Sequence, residues 1–385
     1  MRRMNNLVTF FTAIFSFFFG GFLAIILIDV EPCKVNVFPS KVDQTHEIFL
    51  FHLVISAPNN FERRKAIRET WATLGKTVFQ PYFPEDRIYL PAYDDENFLM
   101  PESLKEQENR MVFLADWAES LRNSIGIKRH FRIKHLFAVG TKDLPYNIQS
   151  QIESEESTYF DMLILPDLKD SYHNLTTKLL RSLEKVTQKY SFSYLLKVDD
   201  DTFVKTEHLV NELVSYDRKL TRKAKDFEGQ QPTPELYWGY FNGKANIKTK
   251  GVWKERHFNL CGKYIPYALG GGYVLSRFLV EYIVKNSHLL TTYTSEDVSV
   301  GAWLAPLRNV YRRHDPRFDT EYMPRKCKEY HIVLHKRTSE HMRDIHEGKL
   351  CTFETKNEEL TRRPAEHLYN WNNVADKCCD NIVAK

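Results

Sequence analysis

Residues Tyr194 to Phe203 read YLLKVDDDTF. A short apolar run breaks off into three consecutive aspartates. Such a run reads as a strand covered on both faces. Adjacent carboxylates repel one another, so three of them at a strand end ask for a counter-charge. Hard oxygen ligands suit Mg²⁺ or Mn²⁺, and a cation held by one or two carboxylates keeps positions open for phosphate oxygens. The plain structural alternative is a solvated acidic turn or a helix cap. An aspartyl-phosphate phosphatase also carries a strand-end D-x-D, but Phe203 stands where that motif expects Thr or Val.

Outward from this stretch, strands alternate with helices. Ile48–Ile55 (IFLFHLVI), Ile133–Val139 (IKHLFAV) and Asp161–Leu165 (DMLIL) read as strands. Asn60–Leu74 carries Phe61, Ile67, Trp71 and Leu74 at helical spacing, and Leu175, Leu179 and Leu183 step by four. Thr206–Tyr216 reads as helix, Asp217–Glu235 as a charged loop, and Phe79–Asn109 as an irregular insertion. The alternation predicts an α/β domain with a mostly parallel central sheet. In such sheets ligands bind at the carboxyl ends of the strands, which is where the aspartates fall.

Three further constellations could carry chemistry. In RRKAIRETW (Arg63–Trp71), Arg64 and Arg68 lie four apart on one helix face. Two guanidiniums so placed could grip a diphosphate, or form a basic surface stripe. In TSEDVSVGAWL (Thr294–Leu304), Ser295 could cap a helix whose first turn holds Glu296 and Asp297. Acids there suit the helix dipole; one of them could equally serve as a general base. In ALGGGYVLS, Gly270, Gly271 and Gly272 permit close backbone approach or a bulged turn.

The N-terminus places the chain. Leu7–Ile28 is 22 residues without a charge, enough to cross a bilayer as a helix. Arg2 and Arg3 precede it and Asp29 and Glu31 follow, so residues 1–6 are expected in the cytosol and the rest in a lumen. The apolar run is longer than a cleaved signal peptide needs, which favours a signal anchor. Residues 29–46 read as a stem and 47–385 as the lumenal domain. In an oxidising lumen the six cysteines are expected to form disulfides, but they allow 15 pairings. Cys33, beside the membrane, could link two chains as a homodimer. The net charge of +4 without a concentrated basic tract gives no reason to expect nucleic acid as a partner. Asn174-Leu175-Thr176 is a glycosylation sequon.

Taken in order, RKAIRETW, DSYHNLTTK, KVDDDTFV, PYALGGGYVLS and SEDVSVG resemble the inverting β-1,3-glycosyltransferases, which include galactosyl- and N-acetylglucosaminyltransferases. The likeness runs from about Ile48 to Cys379. The segments YWGYFNGKANIK, GAWLAPL and HDPRFDTEY are most similar to the branch that adds the second galactose of the glycosaminoglycan–protein linkage region. The resemblance implies a GT-A-like fold, a UDP-galactose donor, Mn²⁺ and a Golgi membrane setting of type II. The implied acceptor is a glycan on a proteoglycan core protein. By the same resemblance Asp201 and His335 would hold the metal, with His314 as the fallback. Asp199 and Asp200 would lie against the nucleotide and ribose. Arg64, Arg68, Asp170, Tyr172, Asn174, Lys178, Gly271, Gly272 and Glu296 would form the donor side, and Asp297 would be the base. A donor-facing Asn174 would conflict with its being glycosylated.

These expectations describe one in-line displacement. Asp297 would take a proton from the acceptor hydroxyl, whose oxygen attacks the anomeric carbon opposite UDP. The competing readings are the same reaction with N-acetylglucosamine, and a non-catalytic lectin or scaffold on the same fold. A binding module needs no general base, so Asp201, Asp297 and His335 occurring together favour an enzyme. Tyr237–Lys248 and His314–Glu321 are the segments expected to meet the acceptor.

Overall fold

The computed structural model describes residues 48–72, 77–81, 126–226, 234–323 and 326–351. The anchor at 7–28, the stem, Cys33, Leu74, Cys378, Cys379 and most of the 79–109 insertion lie outside these. Among the described residues no helix is long and apolar enough to cross a membrane.

The elements follow the alternation read from the sequence. They are β1 (Ile48–Ile55), α1 (Phe61–Glu69), β2 (Thr77–Pro81), β3 (Gly126–His130), β4 (Ile133–Gly140), α2 (Tyr146–Tyr159), β5 (Met162–Leu165), α3 (Leu175–Lys189) and β6 (Phe192–Asp199). Then come β7 (Phe203–Val204), α4 (Thr206–Asp226), β8 (Glu235–Asn242), β9 (Tyr267–Ser276), α5 (Arg277–Asn286), α6 (Glu296–Leu304), β10 (Val310–His314), β11 (Phe318–Asp319), β12 (Val333–Leu334) and α7 (Ser339–His346).

Seven strands form the main sheet in the order β10-β8-β9-β6-β1-β4-β5. The pairs β1/β4, β1/β6, β4/β5 and β8/β10 are parallel; β9 runs antiparallel to both β6 and β8. The sheet is therefore mostly parallel, as expected. Strand residues alternate between two cores. Leu50 and Val54 face one with Ile67, Trp71 and Leu209; Phe51 and Leu53 face the other with Leu179, Leu183 and Trp303. Both faces being covered explains why β1 reads as an unbroken apolar run.

Two expectations change and one open alternative is resolved. Residues 217–226 are helical, because α4 continues to Asp226. No Gly or Pro interrupts that segment before Gly229, and its late Lys and Arg residues suit a helix C-terminus. Phe79–Pro81 belong to β2, paired antiparallel with β3. The glycines 270–272 sit inside β9, not in a turn.

The strand order fixes where a ligand can enter. From β1 the chain proceeds outward to β4 and β5, then returns to lay β6 on the other side of β1. The carboxyl ends of β1 and β6 thus flank the topological switch point, where a crevice opens between diverging connections. The register pairs Ile55 with Asp199, so the aspartates begin at this crevice.

Candidate active site

The three aspartates face different neighbours. Asp199 and Asp201, two apart, converge with His335 from the segment after β12, and their ligand atoms lie within 4.8 Å of one another. His335 Nε2 is 3.0 Å from Asp201 Oδ1 and 3.5 Å from Asp199 Oδ2. Neither Asp201 Oδ1 nor His335 Nε2 is in line for a hydrogen bond, though both are buried. Buried polar atoms outside hydrogen-bond geometry, converging as two carboxylates and an imidazole, fit a divalent cation. Burial alone would lower the pKa of His335, but the flanking carboxylates raise it to about 9. A cation bound there would compete with the proton that these carboxylates favour. His314 is elsewhere: its Nδ1 accepts from the Phe241 backbone N–H at 2.9 Å.

The glycines make room for this group. A Cβ on Gly271 would lie 2.6 Å from the His335 ring, and one on Gly272 would lie 2.7 Å from Val333 Cγ1. Gly271 and Gly272 thus act by admitting His335 and its strand against β9. Lys336, next to His335, has φ 58°, a left-handed conformation that costs a non-glycine residue free energy. Its Nζ donates to Asp201 Oδ2 at 3.1 Å.

Asp200 points to α1. It accepts from Asn60 Nδ2 at 2.8 Å, Arg63 at 2.9 Å and the Ala57 backbone N–H at 3.3 Å. Arg63 also reaches within 3.8 Å of Asp201, and its side chain is 42% exposed.

Arg64 and Arg68 do not face this crevice. Arg64 is fully buried. Its guanidinium donates to both oxygens of Glu155, to Ser56 Oγ, and to the carbonyls of Ala57 and Pro58. All five N–H donors are used, so none is left for a diphosphate. Arg68 pairs with Glu155 and with both oxygens of Asp161, under the Tyr159 ring. The expected diphosphate grip is therefore corrected: the exposed arginine of this helix at the crevice is Arg63. The spacing carried the signal, since Arg64, Ile67 and Trp71 fall at i, i+3 and i+7 on the buried stripe.

The donor-side stretch divides similarly. Lys178 is buried, donates to Asp170 and to the Ser56 carbonyl, and has its pKa lowered by burial. Asp170 also accepts from the Gly140 N–H. These two residues brace the loop after β1. Tyr172 is 62% exposed with its ring edge-on to Trp253 at 5.4 Å. The Asn174 side-chain amide donates to the Lys169 carbonyl at 2.9 Å, at the start of α3.

Across the crevice, α6 begins at Glu296. Ser295 occupies the cap position but makes no side-chain capping bond. Asp297 Oδ1 accepts from the Val298 N–H and Oδ2 from the Gly270 N–H at 2.9 Å. Burial raises the pKa of Asp297 above the ordinary aspartate value. Glu296 is 2% exposed and contacts Lys197 Nζ, so it lies beneath the crevice instead of lining it. That corrects its expected place on the donor side. Burial and the neighbouring Asp297 raise its pKa to about 8, against the pull of Lys197.

Of the segments expected to meet an acceptor, residues 237–241 and most of 314–321 are core, while 244–248 are partly or fully exposed. Tyr237, Trp238 and Phe241 are fully buried, and Asp315, Arg317, Phe318 and Asp319 are nearly so. Arg317 binds Asp315 and Glu212, and Arg313 binds Glu212, in a buried network beneath β8 and β10.

The profile of the galactosyltransferase family matches residues 108–315. The mouse protein named beta-1,3-galactosyltransferase 6 is 35% identical over 336 residues, which cover 86% of this chain and 82% of that protein. The human UDP-GalNAc:beta-1,3-N-acetylgalactosaminyltransferase 2 is 33% identical over 153 residues, covering 40% of this chain and 28% of that protein.

Proposed function

The chain belongs to the galactosyltransferase family, and from that premise we propose that it transfers galactose from UDP-galactose in β-1,3 linkage, with inversion. The acceptor is galactosyl-β-1,4-xylose on a proteoglycan core protein. The observation that carries this reading is one crevice holding a metal-type group (Asp199, Asp201, His335) and a separate carboxylate, Asp297, whose pKa burial raises. The name of the 35% identical relative and the linkage-region segments of the sequence support the sugar and the acceptor.

Asp199, Asp201 and His335 would hold Mn²⁺, which would supply Lewis-acid neutralisation of charge on the departing UDP. Arg63, partly exposed beside Asp200 and Asp201, donates to the diphosphate. Asp297 takes the proton of the acceptor 3-hydroxyl. The freed oxygen bonds to the anomeric carbon as the bond to UDP breaks on the opposite face, so an α-linked donor gives a β product. A raised pKa makes Asp297 a stronger base than a solvated aspartate. Residues 7–28 anchor the chain in the Golgi membrane as a type II protein, with residues 1–6 cytosolic, 29–46 a stem and 47–385 lumenal. Cys33 is the candidate link for a homodimer.

The test offers the full chain Mn²⁺ with UDP-galactose, UDP-N-acetylglucosamine or UDP-N-acetylgalactosamine. Acceptors are a β-xyloside, a galactosyl-β-1,4-xyloside and a plain β-galactoside, with products read by mass spectrometry. Galactose on the galactosyl-xyloside alone is the expected result. Transfer of another sugar would overturn the donor. Mn²⁺-dependent UDP binding with no transfer would point to a scaffold.

A further inference from the structure

The strand YLLKV carries a buried charge. Lys197 is 1% exposed, in the middle of the main sheet. A buried ammonium is unfavourable unless every proton finds an acceptor. Lys197 Nζ donates to Asp199 Oδ1 at 2.8 Å and to the Gly270 carbonyl at 2.6 Å, and it contacts a Glu296 carboxylate oxygen. Two of its protons lie in these hydrogen bonds and the ammonium is ion-paired with Glu296, so the group is held by the protein and not aimed at a substrate.

Each acceptor belongs to a different part of the site. Lys197 engages Oδ1 of Asp199 and leaves Oδ2 toward His335 and Asp201. Gly270 accepts from Lys197 through its carbonyl and donates its N–H to Asp297 Oδ2. Glu296 opens the helix that carries Asp297. One side chain thus spans the distance from a metal-ligating carboxylate to the base.

We propose that Lys197 is the positioning residue that selects the Asp199 oxygen offered to the metal and sets the base Asp297 at a fixed distance from it. This rests on the reading of the crevice as a metal-dependent transferase site. A lysine at this strand position stands two residues before Asp199 and so projects from the same face of β6. Shorter or uncharged residues cannot reach all three acceptors.

The decisive variants are Lys197→Met and the double variant Lys197→Met/Glu296→Gln. The double variant also removes the buried Glu296 carboxyl that Lys197 contacts and leaves Asp199 to His335, so it is expected to fold even if the single variant does not. Mn²⁺ affinity of the full chain is measured without donor, by the paramagnetic resonance of free Mn²⁺; kcat and acceptor KM are measured in parallel. The expected result for folded double variant is Mn²⁺ affinity weaker by about 10–100-fold. Its kcat falls by about 10²-fold with acceptor KM little changed. A folded double variant with wild-type Mn²⁺ affinity and kcat would show that Lys197 only balances charge in the core, and the proposal would be wrong. If the wild-type chain binds Mn²⁺ but transfers no sugar, the proposed reaction fails while the metal measurement still decides for Lys197. A wild-type chain that binds no Mn²⁺ overturns both.

Discussion

At the residue scale, two acids adjacent in sequence do different work. Asp297 reaches the Gly270 N–H at the crevice, while Glu296 is buried on Lys197. Replacing Asp297 by Asn keeps the size and the hydrogen bond from Gly270 but removes the proton acceptor. Transfer should fall by about 10²–10⁴-fold, with Mn²⁺ and UDP binding retained in calorimetry. Near-normal turnover would remove Asp297 from the mechanism. The pH profile follows from the same group. Asp297 works ionised, and burial raises its pKa, so kcat/KM should decline as pH falls through a point above that of a solvated aspartate. The decline should disappear in the residual activity of Asp297→Asn.

At the element scale, α1 presents neighbouring arginines to opposite sides. Arg64 fastens the helix to Glu155 of α2, and Arg63 faces Asp200. Arg64→Ala leaves Glu155 with less compensation and should cost about 3–5 kcal/mol of stability. Arg63→Ala should leave the melting temperature nearly unchanged and raise the KM for UDP-galactose. The reverse pattern would restore Arg64 to donor binding. The Glu212–Arg313–Arg317–Asp315 network offers a second test. Burial would raise both carboxyl pKa values, but the two guanidiniums hold them below the ordinary range. A depressed folded-state pKa contributes stability above the unfolded value, and that contribution is lost as pH falls through the folded one. Denaturant midpoints should therefore drop below about pH 4, and Glu212→Gln should flatten part of that drop.

At the scale of the whole molecule, the candidate metal group is assembled from segments far apart in the chain. Asp199 and Asp201 end β6, whereas His335 arrives on the segment after β12, between Cys327 and Cys351. Those two cysteines form a disulfide closing a loop with a sequence separation of 24. Closing a loop of this size stabilises a fold by about 3 kcal/mol. Replacing both cysteines by serine should lower stability by that order. It should also weaken Mn²⁺ binding, because His335 lies inside the tether. Unchanged metal affinity in the folded variant would confine the disulfide to stability.

Periodicity and composition already specify the strand–helix alternation, the mostly parallel sheet, the aspartates at a strand end and the acids at the start of α6. Those signals are local: periodicity, an apolar run and a cap register within a few residues. His335 and the glycines were legible only through family resemblance, since neither a lone histidine nor a glycine run says what it touches. Tertiary structure alone decided that Asp199, not Asp200, turns toward His335, and that Arg63 takes the crevice while Arg64 is buried. It also set Lys197 against both Asp199 and the Gly270 carbonyl. Those choices depend on which face of a strand or helix meets which distant neighbour. A buried charge settles where its partners already are, and that is a property of packing, not of the chain read in order.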